Sequence, residues 1–466
     1  MKYSKGLIPS LMMLLFVSCT TKSTVDHYAL LADSIQSNQG IQYTMKRALD
    51  VVKTGFNAGD GYGEVWIRDY NTFIELSAEV YPNETLKENL RVFFCLQQAD
   101  GGIVDGFIPR SKATQTKDGY KYVFSDLAPK YAGHKNNVET DQESSLVQAV
   151  FRYVTKTGDT AFLSEMIGDQ TVAQRIELAM NFLMTKRWDQ KHHLIYGATT
   201  ADWGDVQHSH PWGVFLTPDT KYSLDIYDNA MFLIAIDNMM AIVPSSRAHW
   251  QSIHKDIAQN TMKYLWDSKR NKFIPHVYLD GSPFPADFDE NAIYYHGGTA
   301  VAIEAGLLSR EQVKQALTYM IADVKASGAG SIGLTLYPTY PKGYFENVGM
   351  VPYGYQNGGD WTWFGARMIQ QLVRYGFLKE AYEQLLPMTD RVLANKGFFE
   401  WYTKDNKPNG SGTFRGSAGV LYKAIEMLEQ ATDTKVKESK SHASNAQTLL
   451  WKIGEDDQSG DEFMLA

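Results

Sequence analysis

Cysteine is nearly absent: the 466 residues hold two, Cys19 and Cys95. If Cys19 carries a lipid, a single thiol remains and no internal disulfide is possible. Cys95, inside a predicted helix, reads as a buried thiol. Positive charge is in deficit, with a net charge of −8, which speaks against nucleic acid as a partner. The apolar run at 7–17 is too short to span a bilayer. No glycine-rich phosphate loop opens a helix, and Gly410-Ser411-Gly412 is not a nucleophile elbow. His208, His210 and His296 lack the spacing and partners of a metal set, so neither metal nor cofactor is expected. No internal repeat is evident.

What is present begins with a leader. Lys2 and Lys5 precede the apolar run, and small Ser18 sits before Cys19. That is the pattern of a secretory signal, and Phe16-Val17-Ser18-Cys19 resembles a bacterial lipobox. The expectation is a signal peptide at 1–18, a lipidated Cys19 with a tether at 19–40, and a lipid anchor in the cell envelope. This would be a periplasmic or outer-membrane lipoprotein, with the membrane as one partner.

The rest is globular, 44% hydrophobic and 13% aromatic with ten tryptophans. Apolar residues recur at helical spacing over 43–53, 67–80, 86–97, 141–156, 172–186, 224–241, 247–266, 291–304, 310–326, 360–375, 378–395 and 414–428. Proline and glycine part many of them in pairs. Twelve helices in antiparallel pairs predict an all-α fold, an (α/α)6 toroid of six helical hairpins over 41–432. Strands are expected only at 272–278 and 397–402. Residues 433–466 read as a polar, acidic, exposed tail. In such a ring the long loops at one end, 59–68, 100–137, 198–219, 337–360 and 398–415, would build a site.

The richest of these loops holds Thr200-Ala201-Asp202-Trp203-Gly204-Asp205. Tryptophan offers a flat apolar face for a sugar ring, and a carboxyl beside it is partly desolvated and suited to donate a proton. A structural polar loop is the bland reading. In Trp66-Ile67-Arg68-Asp69 an arginine beside an aspartate can grip adjacent hydroxyls, or Asp69 can serve the helix dipole. Asp141 is a candidate ligand contact, whereas Thr140 and Glu143 read as a capping box. The run from Tyr353 to Trp363 holds Tyr355, Gln356, Asn357, Trp361 and Trp363, a candidate sugar platform that Arg367 can reach. Asp360 reads as a helix cap. Glu400 stands among aromatics, where a carboxylate is costly unless paired or functional. Its structural alternative is an ion pair with Arg415.

These motifs, in this order, resemble those of the six-hairpin glycosidases, the group of glucoamylases, trehalases, processing α-glucosidases, debranching enzymes and inverting phosphorylases. The likeness covers roughly 40–430. It implies a glycoside hydrolase acting on an oligosaccharide or glycan, with an α-linked glucoside or mannoside as the group's lean. By that resemblance Asp205 is the general acid, a role Asp202 can exchange with it, and Glu400 is the general base. Trp66, Arg68 and Asp69 would hold the terminal sugar, and Gln356, Trp361 and Trp363 a later wall; Asp141, Asp202, Trp203 and Arg367 are further candidate substrate contacts read from the residues themselves. The implied mechanism is inverting, with the carboxyls roughly 6.5–9.5 Å apart around a water. The alternatives are a non-catalytic glycan-binding lipoprotein, or a phosphorylase, lyase or epimerase on the same ring.

Overall fold

A computed structural model describes residues 27–456, apart from 114–120, 139 and 212–215, and gives the backbone alone for 442–456. The leader and Cys19 lie outside the described residues. After a helical stretch at 27–37, twelve helices follow. They are α1 (Gln39–Val52), α2 (Ile67–Ser77), α3 (Asn83–Cys95), α4 (Gln142–Thr157), α5 (Val172–Lys186), α6 (Ile226–Ile242), α7 (Arg247–Tyr264), α8 (His296–Glu304), α9 (Arg310–Ser327), α10 (Thr362–Arg374), α11 (Leu378–Asn395) and α12 (Arg415–Asp456).

The even-numbered helices pack each on the next, and α12 returns to α2. The odd-numbered ones lie against them from outside: α3 and α5 on α4, α7 on α6, α9 on α8, α11 on α10, and α1 on α11 and α12. Composition explains the two layers. In α9 only Val313, Ala316, Leu317 and Met320 are buried, a single stripe at helical spacing. In α8 every residue from His296 to Ile303 is buried, and in α6 every residue from Ile226 to Ile236. Those helices are covered on all sides and so show no amphipathic period.

The helix starts differ as well. Thr171 and Ser309 form capping boxes with Gln174 and Gln312 at the starts of α5 and α9. Inner α6 is capped by Asp225, whereas α2, α4, α8 and α10 begin at Trp66, Asp141, Tyr295 and Trp361 with no side-chain cap, as do outer α3, α7 and α11. Two expected caps are therefore corrected. The Thr140 hydroxyl donates to the Tyr196 carbonyl (3.3 Å), while Glu143 accepts from the Ile103 N–H (2.8 Å) and Lys135 (2.9 Å). Asp360 does not cap α10; it is fully buried, pairs with Arg391 (2.9 Å) and accepts from Ser331 (2.7 Å).

Three boundaries also move. Residues 272–278 are two short strands, Lys272–Phe273 and Val277–Tyr278, in different sheets. Residues 291–304 hold the short strand Tyr294–Tyr295 before α8 begins. Helix α12 does not stop where its apolar residues end; it runs on to Asp456, and its segment 433–441 is largely exposed.

The expected loop at 100–137 contains most of a four-stranded antiparallel sheet. β1 (Val65–Trp66), β2 (Gly106–Pro109), β3 (Tyr122–Val123) and β4 (Tyr131–His134) stand in the order β1-β2-β4-β3. Gly106 pairs with Trp66 on one side and His134 on the other. A Cβ at Gly106 would sit 2.6 Å from the Trp66 ring, so glycine there gives the indole its place. The sheet stands at the start of α2, where the site begins. Among the described residues no single helix is long and apolar enough to cross a membrane.

Candidate active site

The loops at the starts of the inner helices enclose a cavity of about 270 Å³. Asp205 and Glu400 both line it, with Trp66, Arg68, Asp69, Trp203, Gln356, Trp361 and Trp363. Nine of the twelve residues picked from the sequence as catalytic or sugar-binding thus meet around one space.

Each of the two carboxylates is held by a distant loop. Gln356 Nε2 donates to Asp205 Oδ1 at 2.6 Å. The Tyr62 hydroxyl donates to Glu400 Oε1 at 3.0 Å, and the Ser411 N–H to Oε2 at 3.2 Å. Gly410, at φ +71°, brings that loop so close that any Cβ would collide with the Glu400 carboxylate. Arg415 does not pair with Glu400; Asn57 and Thr54 engage it. Burial pushes the Glu400 carboxyl up, the hydrogen bonds from Ser411 and Tyr62 pull it down, and the nearby Asp205 charge adds a smaller upward push. The Asp69 carboxyl is pushed up to about 7, by burial first and against the pull of Arg68. Its Oδ1 has no hydrogen-bond partner.

The tryptophans line the cavity but are not open platforms. Trp203 is 3% exposed, with Trp361 at 4.8 Å and Trp363 at 5.4 Å edge-to-face and Phe364 beside it. Trp361 and Trp363 are equally buried. Trp66 and Tyr355 are half-buried and present more surface to the cavity. Asn357, grouped with the platform in the sequence, is fully buried; it accepts from the Tyr340 N–H (2.8 Å) and donates to the Tyr340 and Met350 carbonyls. It pins the loop that carries Tyr355 and Gln356.

Three residues from the sequence reading are not among those lining this cavity. Asp141 stands behind Arg68 and grips it through Nε (2.7 Å) and Nη2 (3.2 Å), while Tyr227 donates to Asp141 at 2.7 Å. Arg367 lies one helical turn past Trp363, about 6 Å along the axis. It is 3% exposed and pairs with Glu304 at 2.9 Å. Asp202 is 2% exposed and sits in the left-handed region at φ +54°. Its two oxygens accept from the Gly297 and Gly298 N–H groups, both at 2.8 Å. The start of α8 thus receives from this distant loop the anion it lacks locally. Burial raises the Asp202 carboxyl and these two donors oppose it.

Sequence reasoning left Tyr62, Asp105, Asn136, Gln142 and Phe414 unassigned, yet all line the cavity, as does Tyr355 of the expected sugar platform. Tyr62 was visible between Gly61 and Gly63, and Gln142 beside Asp141; Asp105 and Asn136 carried no signal.

No family model and no curated protein matches the sequence. Solved structures do. The glycoside hydrolase family 63 mannosylglycerate hydrolase of Thermus thermophilus, in complex with Tris, superposes with a TM-score of 0.59 at 15% identity, covering 81% of this chain and 99% of that one. The chain shares the fold of that structure. Two rhamnosidases match it too. One is from Klebsiella oxytoca with rhamnose bound, at TM-score 0.52 and 10% identity, covering 83% of this chain and 63% of that one. The other is the family 78 enzyme of a Bacillus species, at 0.55 and 13%, covering 83% and 34%. At these identities the likeness is one of fold, and chemistry has to be argued from the cavity.

Proposed function

We propose that the chain is an inverting glycoside hydrolase on a six-hairpin (α/α)6 toroid, tethered to the cell envelope through a lipid on Cys19. The observation that carries this reading is the meeting of Asp205 and Glu400 in one aromatic-walled cavity, each fixed by a donor from another loop. Asp205 protonates the leaving oxygen. Glu400, ionised, takes a proton from a water on the opposite face of the sugar. Burial makes the Glu400 carboxylate a stronger base than an exposed one, while Tyr62 and Ser411 fix its oxygens toward the water. Trp66, Arg68 and Asp69 hold the terminal sugar, and Asp141 keeps the Arg68 guanidinium in place.

The substrate is an oligosaccharide or glycan, and an α-linked glucoside or mannoside is the first class to test. Phosphorolysis or lyase chemistry calls for cations to hold a phosphate or a uronate. Among the described residues the one basic side chain lining the cavity is Arg68, and Asp141 already grips it.

The test is sugar release from α- and β-linked disaccharides and short glycans by soluble protein lacking the leader, with proton NMR of the first-formed anomer. Asp205→Asn and Glu400→Gln are each expected to lower kcat about a hundred- to ten-thousandfold. Glycan binding without cleavage, or unchanged rates in both variants, would replace this reading with a binding lipoprotein.

A further inference from the structure

Part of the cavity lining is polar and lies outside the proposed acid–base pair. Asp105, Asn136 and Gln142 line it and are 5%, 2% and 1% exposed. Asp105 is rigidly placed: its N–H donates to the His134 carbonyl (2.9 Å), and its own carbonyl accepts from the Ile67 N–H (2.8 Å). Its Oδ1 is buried without a hydrogen-bond partner. An orphaned buried carboxylate oxygen is costly, and native structures keep one where something else supplies the partner. The Trp66 ring, seated against Gly106, lies beside it.

We propose that Asp105 is a specificity-determining residue that hydrogen-bonds one hydroxyl of the terminal sugar, and that this end of the cavity accepts uncharged sugars and rejects uronic acids. The proposal rests on the glycosidase reading. Among the described residues four carboxyl groups line the cavity, Asp69, Asp105, Asp205 and Glu400, against one guanidinium already engaged by Asp141. A sugar carboxylate there would be desolvated near the Glu400 charge and beside carboxyls that would be held protonated by its presence. A hydroxyl meets an acceptor in the Asp105 carboxyl, which lines the cavity. Burial also pushes the Asp105 carboxyl up to about 7, so near neutrality it can donate as well as accept.

The test is a calorimetric binding panel of neutral hexoses, their singly deoxygenated analogues and the matching uronic acids. Wild type, Asp105→Ala and Asp105→Asn are compared, with thermal melts to confirm folding. For wild type, removing one particular hydroxyl is expected to weaken binding about ten- to a hundredfold, and the uronic acid to bind at least about tenfold more weakly than the neutral sugar. Asp105→Ala is expected to erase the hydroxyl preference, and Asp105→Asn to keep part of it while narrowing the uronate gap. Should Asp105→Ala fail to fold, the uronate gap of Asp105→Asn decides. Undiminished hydroxyl discrimination in Asp105→Ala, or an unchanged uronate gap in Asp105→Asn, overturns the role of Asp105 and leaves the glycosidase standing. A wild type that neither binds nor cleaves any sugar takes both down.

Discussion

The outer helix α9 and the inner helix α8 are neighbours in sequence and contact, yet they begin in opposite ways. Ser309 and Gln312 cap α9 from within four residues. Helix α8 has no such cap, and its first N–H groups are met by Asp202, 95 residues away. The outer start is a local solution. The inner start is a tertiary one, and the same contact fixes the loop that carries Trp203 and Asp205. At α8 the loop that closes the open start from afar is thereby held in register with the cavity.

The contrast can be broken from its inner side first. Asp202→Ala leaves two buried N–H groups without an acceptor and is expected to cost about 3 kcal/mol in urea unfolding. It should also lower turnover about tenfold or more as the loop with Asp205 loosens. Unchanged turnover in a folded variant would separate the α8 contact from catalysis. Gly298→Ala attacks the same contact from the helix. Its Cβ would lie 2.7 Å from Asp202 and 2.6 Å from Ile226. Although alanine favours helix, the crowding is expected to cost about 1–3 kcal/mol. Stabilisation would mean the contact is looser than its geometry implies.

On the outer side Thr171→Ala removes half of a capping box and is expected to cost about 1 kcal/mol with turnover unchanged. A fall in activity there would mean that this local cap also supports the cavity.

Much of the fold was legible because helical periodicity and Pro/Gly breaks are local. The outer stripe at Val313, Ala316, Leu317 and Met320 is the clearest case. The inner helices were harder. With α8 buried from His296 to Ile303 there is no polar face to set its phase, so its start was read five residues early. In the site, residues announced by dense motifs, such as Asp205, Gln356 and Glu400, converge on the cavity. The sequence could not tell a carboxylate that faces the cavity from one that supports it. Asp141, Asp202 and Asp205 look alike in the chain, and only packing assigns Asp141 to Arg68 and Asp202 to α8. Asp105 gave no signal because its partners, Ile67 and His134, lie 38 and 29 positions away.

A pH series gives the gentlest comparison. Asp69 and Asp105 have folded-state values of about 7, against roughly 3.9 in an unfolded chain. The folded state therefore keeps protons that the unfolded state has lost. This favourable contribution is complete below about pH 4 and is lost as pH rises towards 7. Melting temperature is expected to fall from pH 5 to 8, and Asp105→Asn to flatten that slope. A slope unaltered in both Asp105→Asn and Asp69→Asn would place the proton uptake elsewhere.

The ring closes by joining opposite ends of the chain, and this sets a timetable for its manufacture. Tyr62 meets Glu400 across 338 residues, and α12 returns to α2. A ribosome adding 5–20 residues per second needs roughly 17–70 s to pass from one partner to the other. Throughout that interval the growing chain already carries Arg68 and Asp69, and later Asp205, without the proposed base. Of the proposed acid–base pair, Glu400 is the last to be made, so the proposed hydrolysis would begin only as the final inner helix arrives to seal the ring.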